Sequence, residues 1–294
     1  MDIAEYEKIK ESNMREISKG KFTGERALFQ ADDLKICDSV FEDGESPLKH
    51  SRNIELYNSM FRWKYPLWYS ENIRVRGCTF FEMARAGIWY TNNIGVYDTM
   101  IEAPKEFRRC DGITLENVTF TNAAETLWEC RNVKMTNVTA KGDYFAMNGS
   151  DMETENLQLV GNYPFDGAKN ITVRNSRLIS KDAFWNAENV TLENCFVSGE
   201  YLAWNARKVT LANCTVESLQ GLCYVEDLVI RNCKFINTTL AFEFSTVDAE
   251  ICGSIDSVKN PSGGRICAGS IGELILEDDQ VDVTKTKICC KAVC

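Results

Sequence analysis

A nine-residue phrase, N-apolar-x-apolar-x-N-small-x-apolar, recurs along almost the whole chain and constrains its fold more than any other feature. It reads NIELYNSMF from Asn53, NIRVRGCTF from Asn72, NITVRNSRL from Asn170, NVTLENCFV from Asn189 and DLVIRNCKF from Asp227. Its first apolar residue falls at Leu34, Ile54, Ile73, Ile94, Ile113, Val133, Leu157, Ile171, Val190, Val209 and Leu228. The gaps are 20, 19, 21, 19, 20, 24, 14, 19, 19 and 19 residues. The pair 24 and 14 spans two ordinary periods and reads as a local register shift.

Apolar residues alternate within each copy, which is strand periodicity, and each strand ends at an Asn or Asp turn. Two short strands and their turns fill 19 or 20 residues and leave no length for a crossover helix. The expected fold is all-β: a single-stranded right-handed parallel β-helix, or solenoid, of about 12 coils. With coils about 4.8 Å apart, it would be one domain roughly 55–60 Å long. Residues 2–16 carry Ile3, Tyr6 and Ile9 among charges at helical spacing. They suit an N-terminal helical cap over residues 1–16, followed by the β-helix over 17–285. Residues 286–294 form a C-terminal tail without readable structure.

Stacking the copies sorts residues into columns. Asn58, Asn117, Asn137, Asn175, Asn194, Asn213 and Asn232, with Asp38 and Asp98, share one column. Asn tolerates the left-handed turn, and stacked amides can hydrogen-bond from coil to coil. The next column holds Cys78, Cys195, Cys214 and Cys233 with Ser39, Ser59 and Ser176, a ladder of small buried side chains with inert thiols.

Six residues upstream of the first apolar position a second strand is expected, led by inward residues such as Leu48, Leu67, Ile88, Phe107, Leu127, Phe165, Phe184 and Leu222. The following column reads Lys49, Trp68, Trp89, Arg108, Trp128, Ala146, Asp166, Trp185 and Trp204. Alternation turns it outward, and it holds five of the six tryptophans. Tyr69 and Tyr90 lie one residue further on. Such a row is either a self-stacking ladder or a platform for sugar rings. Beside it runs an acidic column through Glu125, Asp143, Asp182 and Glu200, joined by Asp166. Carboxylates on neighbouring or alternate coils would stand about 5 or 9–10 Å apart, separations that suit acid–base work on a glycosidic bond. Arg85, Arg108, Arg109 and Lys49 offer a clamp for a sugar carboxylate, and His50 is the one imidazole base.

Composition removes other classes. A net charge of −10, from 33 basic and 43 acidic residues, argues against a nucleic-acid groove or a polybasic membrane contact. One histidine excludes two-histidine metal motifs. No apolar run is long enough to span a bilayer, and the first residues lack the apolar core of a secretory signal. Thirteen cysteines, an odd number without a CxxC pair, read as reduced thiols in a cytoplasmic protein. No cofactor is called for, although stacked carboxylates could hold a divalent cation such as calcium.

The phrases GERALF (24–29), DGESPLKHS (43–51), WKYPLWYS (63–70), ARAGIWY (84–90), APKEFRRC (103–110), GDYFAMN (142–148), KDAFWN (181–186) and GEYLAWN (199–205) resemble a bacterial domain-of-unknown-function family. The resemblance runs from about residue 17 to 285 and implies the pectin-lyase-like superfamily of right-handed β-helices. It brings no established reaction. Many members of that superfamily act on polysaccharides, but the polygalacturonase motifs and the pectate-lyase WIDH motif are missing here, so no catalytic residue carries over.

Two functions follow as expectations. The first is binding, with or without processing, of an acidic oligo- or polysaccharide on the outward Trp/Arg/acid face, by lyase, hydrolase or epimerase-like chemistry if there is a reaction. The second is a non-enzymatic scaffold whose aromatic column stiffens the solenoid or joins two copies of the chain.

Overall fold

The structure, a computed structural model, describes residues 14–290. The chain divides into two compact units, Met1–Val133 and Lys134–Cys294, where the repeat reads as a single domain. The strand Arg131–Lys141 spans the division. Both units are the all-β parallel solenoid that the repeat predicts, with about 15 turns in place of 12 or so.

In the first unit Leu34, Ile54, Ile73, Ile94 and Ile113 pair in register from strand to strand. In the second, Ile171, Val190, Val209, Leu228 and Val247 do the same. Strands such as Glu188–Glu193 bury alternate residues, so each contributes two apolar side chains to the core. Phe22, Phe41, Phe61 and Phe80 stack through the first unit with ring centroids 4.7, 4.5 and 4.6 Å apart.

The expected register shift is absent. Met152 pairs with Ile171, so it takes the first apolar position and the spacing is 19 on both sides. Leu157 lies in the Cys/Ser column, where its N–H donates to Ser176 Oγ at 2.9 Å. Met and Thr154 stand where other coils have β-branched or leucine pairs, which hid the repeat.

The second strand of each coil is also corrected. Its inward residues are fully buried, but the segment is a run of turns, with isolated bridges among the described residues only at Trp89–Arg108, Arg108–Trp128, Leu219–Thr239 and Ala241–Val258. Phe107, Leu127, Phe165, Phe184 and Leu222 adopt φ of 55° to 61°. Left-handed backbone costs about 1–2 kcal/mol per residue, and burying a large apolar side chain returns about 1.5–3 kcal/mol. Burial therefore wins. The hydrogen bonds between coils also survive: Leu127 N–H donates to Glu106 O at 3.0 Å and Arg109 N–H to Trp128 O at 3.0 Å.

The polar columns form as read. Asn58, Asn117, Asn137 and the rest of their column lie at positive φ. Their amides link coils, as from Asn58 to Asp38 at 3.4 Å and from Asn232 to Asn213 at 2.6 Å. A second amide column joins Asn53, Asn72 and Asn93 at 3.1 and 2.8 Å. Ser39, Ser59, Cys78, Cys195, Cys214 and Cys233 are buried. Their side chains accept N–H groups left by the turns, as Ser59 Oγ does from Ser39 at 3.1 Å.

The ends differ from expectation. Arg15 and Glu16, assigned to a helical cap, belong to the strand Arg15–Ser18 and pair with Leu34 and Lys35. The remainder of that cap lies outside the described residues. Thr286–Cys290, assigned to an unstructured tail, is a strand paired with Gly263–Ile275. Cys267 and Cys289 are in-register partners there, 4.6 Å apart at Cα, and form a disulfide instead of two reduced thiols. Cys252 is disulfide-bonded as well.

Candidate functional site: two aromatic faces and a groove

The first unit carries two adjacent rows on its turn face. In the inner row Lys49 Nζ lies 5.7 Å from the Trp68 ring, and Trp68 and Trp89 stack at 5.2 Å and 7°. The Arg108 guanidinium then sits 4.6 Å from both Trp89 and Trp128. Both faces of Trp89 are therefore covered, by Trp68 and by Arg108. The indole N–H groups are used internally as well, by Trp68 to Ala86 O and by Trp89 to Lys105 O at 2.8 Å. The outer row stacks His50 on Tyr69 at 5.1 Å and Tyr69 on Tyr90 at 4.8 Å.

The expected arginine clamp is closed. Arg108 donates to Glu125 at 3.1 Å, and Lys105 pairs with the same carboxylate at 3.0 Å. Arg109 pairs with Glu129 at 2.6 Å and also reaches the Tyr90 hydroxyl. Glu125 is thus an ion-pair partner and not a free acid. Arg85 is exposed just beyond the short helix Glu82–Ala84. His50 is exposed, with its ring between Phe29 and Tyr69.

Under this face lies a residue the sequence reading passed over. Glu106 is wholly buried, and both its oxygens lack a geometrically sound partner among the described residues. Burial pushes its carboxyl well above the usual carboxylate range, partly offset by the nearby Gly87 and Ile88 backbone. A methyl group at Gly87 would stand 2.5 Å from that carboxyl.

The second unit treats the same columns differently. The tryptophan row holds Met147, half-exposed, whereas Ala146 is buried with φ of 58°. Asp166 follows and accepts from Asn186 Nδ2 at 2.9 Å. Trp185 and Trp204 are 6.3 Å apart and tilted at 32°, and Tyr201 meets them edge-on at 67° and 88°. These rings do not cover one another as Trp68 and Trp89 do.

Glu200, next to Tyr201 in the chain, lines a groove of about 720 Å³. Gly142, Gly161, Ser180, Gly199 and Ser218 line it together with the exposed apolar residues Val160, Ile179 and Leu219. The small residues are required, since a methyl group at Gly199 would stand 1.7 Å from Ser180 O, and one at Gly161 2.0 Å from Gly142 O. Asp143, Asn162, Lys181 and Glu200 also line the groove and are tied in sequence. Asp143 accepts from Asn162 N–H at 2.7 Å, Asn162 from Lys181 N–H at 3.2 Å, and Lys181 pairs with Glu200 at 3.5 Å. Glu217 accepts from Asn237 and Ser198, which hold its carboxyl below the usual range.

Of the acids expected in this unit, Asp143 reaches the groove and Asp166 is held by Asn186. Asp182 is enclosed, 1% exposed, with Oδ2 lacking a partner among the described residues. Burial raises its carboxyl, while Lys181 and the Tyr163 hydroxyl act against the rise. Glu217, Asn162 and Asn237 were missed. The recurring Gly-Asp/Asn/Glu-Tyr at 142–144, 161–163 and 199–201 was the signal for the groove. Among the described residues, no group of three or more His, Cys, Asp or Glu is placed to hold a metal ion.

A repeated coil bearing a glycine-lined groove and aromatic columns defines a parallel β-solenoid protein. Residues 15–289 match the family described as "Protein of unknown function (DUF3737)", and the chain belongs to that family. Among solved structures it is similar to PfbA, a surface adhesin of Streptococcus pneumoniae. In two structures of that adhesin the identity is 8%, the TM-scores are 0.47 and 0.48, and the coverage is 82% and 93% of this chain and 83% and 90% of the adhesin. The A-module of the mannuronan C-5 epimerase AlgE4 of Azotobacter vinelandii is 9% identical, with a TM-score of 0.37, over 94% of this chain and 89% of the module. At such identities and TM-scores none of these bears on what this chain binds. No curated protein matches it.

Proposed function

We propose that the chain binds a saccharide in the groove of its second unit, between the glycine and serine residues that line it and the Trp185–Tyr201–Trp204 cluster. The observation that carries this reading is the groove itself, where carboxylates, amides and two lysines stand beside apolar surface. Such a mixture suits sugars, which present hydroxyls at their edges and C–H groups on their faces. Its charge revises the ligand: Asp143, Glu200 and Glu217 against Lys141 and Lys181 disfavour a uronate and favour a neutral or amine-bearing chain. The reading is of binding. Asp182 is enclosed and Glu125 is engaged, so no acid–base pair is assigned.

The test is a glycan array followed by titration with Tyr201→Ala and Glu200→Gln. Affinity is expected to fall at least tenfold in each. If no glycan is retained, or if neither variant weakens binding, the reading is overturned.

A scaffold role fits the first unit, because Trp89 is covered on both faces and Arg108 and Arg109 each hold a carboxylate. The proposal keeps the protein in the cytoplasm, in keeping with its buried unpaired thiols at Cys78, Cys110 and Cys195, and cell fractionation tests this. No helix among the described residues is long and apolar enough to cross a membrane.

A further inference from the structure

We propose that the strand Thr286–Cys290 is a thiol-controlled clasp, closed over the strand Gly263–Ile275 by the Cys267–Cys289 disulfide and released on reduction. The strand differs from most of those before it. None of its five residues is buried, whereas Glu188–Glu193 and Arg207–Ala212 each bury two. It is held by its backbone ladder, from Gly264↔Thr286 to Ala268↔Cys290, by a bond from Thr286 Oγ1 to Pro261 O at 3.2 Å, and by the disulfide. A five-residue ladder without core burial is a weak attachment, and the covalent link supplies what packing does not. Beneath it lie Ile266 and Ala268, both fully buried, with Cys267 between them. Opening therefore uncovers apolar side chains together with a row of unpaired backbone groups.

The chemistry is ordinary thiol–disulfide exchange with a dithiol reductant. A reductant thiolate attacks one sulfur of the bridge, and the other leaves as a thiolate and takes a proton. The second thiol of the reductant then displaces the mixed disulfide. Two electrons and two protons pass to the protein, which gains the thiols of Cys267 and Cys289, while the reductant becomes a disulfide.

The experiment combines alkylation mapping with hydrogen exchange on the full chain, prepared in glutathione disulfide and then treated with dithiothreitol. Cys290, exposed and unpaired, should alkylate in both states and serves as the control. Cys267 and Cys289 should alkylate only after reduction. The amides of residues 264–268 should then exchange at least tenfold faster, with the first unit unchanged. The C267S/C289S variant, which leaves the Cys252 bond intact, should match the reduced protein without reductant. The proposal is overturned if both cysteines alkylate in the oxidised preparation, or if reduction leaves these amides protected. It is overturned equally if the reduced protein opens while the variant stays closed, since another bond would then be the clasp. Should the variant fail to fold, the reduced and oxidised wild-type arms decide the question.

Discussion

The two units use the same turn face in opposite ways. In the first, Lys49, Trp68, Trp89, Arg108 and Trp128 stack face on face, and each arginine near them already holds a carboxylate. In the second, Met147 and Asp166 replace aromatic members of the column, Trp185 and Trp204 are tilted at 32°, and Tyr201 meets both edge-on in a unit that also carries an open groove. An aromatic column therefore stabilises a solenoid where its members are stacked in succession. It leaves surface for a ligand where the succession is broken.

Removing a ring from the closed row should test that contrast most severely. Trp89→Ala deletes a ring covered on both faces, and should lower unfolding free energy by about 3 kcal/mol in denaturant titrations, with saccharide affinity unchanged. Arg108→Met keeps much of the side-chain volume but loses two cation–π contacts and the pair with Glu125. A loss of about 1–2 kcal/mol is expected by the same measurement.

Glu106→Gln should act in the other direction. Burial raises the carboxyl in the folded state, so its contribution to stability is fully present below the unfolded value near pH ~4.3. That contribution is lost as pH rises through the folded value. The glutamine variant should therefore melt above wild type at pH 7–8, with the difference shrinking toward pH 4 in thermal scans. The smallest effect on stability belongs to the groove. Glu200→Gln removes one partner of an exposed ion pair and should change stability by under about 0.5 kcal/mol while weakening saccharide binding. A variant of the first unit that abolishes binding, or a groove variant that unfolds the protein, would erase the distinction.

Much of the fold was legible because each column repeats one physical demand. Asn58 and Asn232 announce a left-handed turn, Cys78 and Cys214 a small buried position, and Leu67 and Phe184 an inward one. What stayed hidden depended on conformation or on exceptions. Alternation at Leu127–Trp128–Glu129 reads as strand, yet a run in which Leu127 and Glu129 adopt positive φ on either side of Trp128 places side chains on opposite sides equally well. Met152 concealed a regular coil by departing from the β-branched pattern. At the site, the column of Trp185 and Trp204 was readable, but ring tilt and the pairing of Arg108 with Glu125 depend on side-chain geometry. The groove was written in Gly142, Gly161 and Gly199, which a search for acids and aromatics overlooks.

The amide columns carry a consequence for how such a chain can change length through descent. Asn170 donates to Asp151, and Asn189 to Asn170, each 19 residues back, so every member serves its neighbours in the same way. Val190 lies between Ile171 and Val209 in one unbroken register. Loss of residues 188–206 would bring Val209 onto Ile171 with every column still matched. Gene duplication and deletion in this lineage should therefore leave lengths that differ by whole coils, so that inheritance counts in turns and not in amino acids.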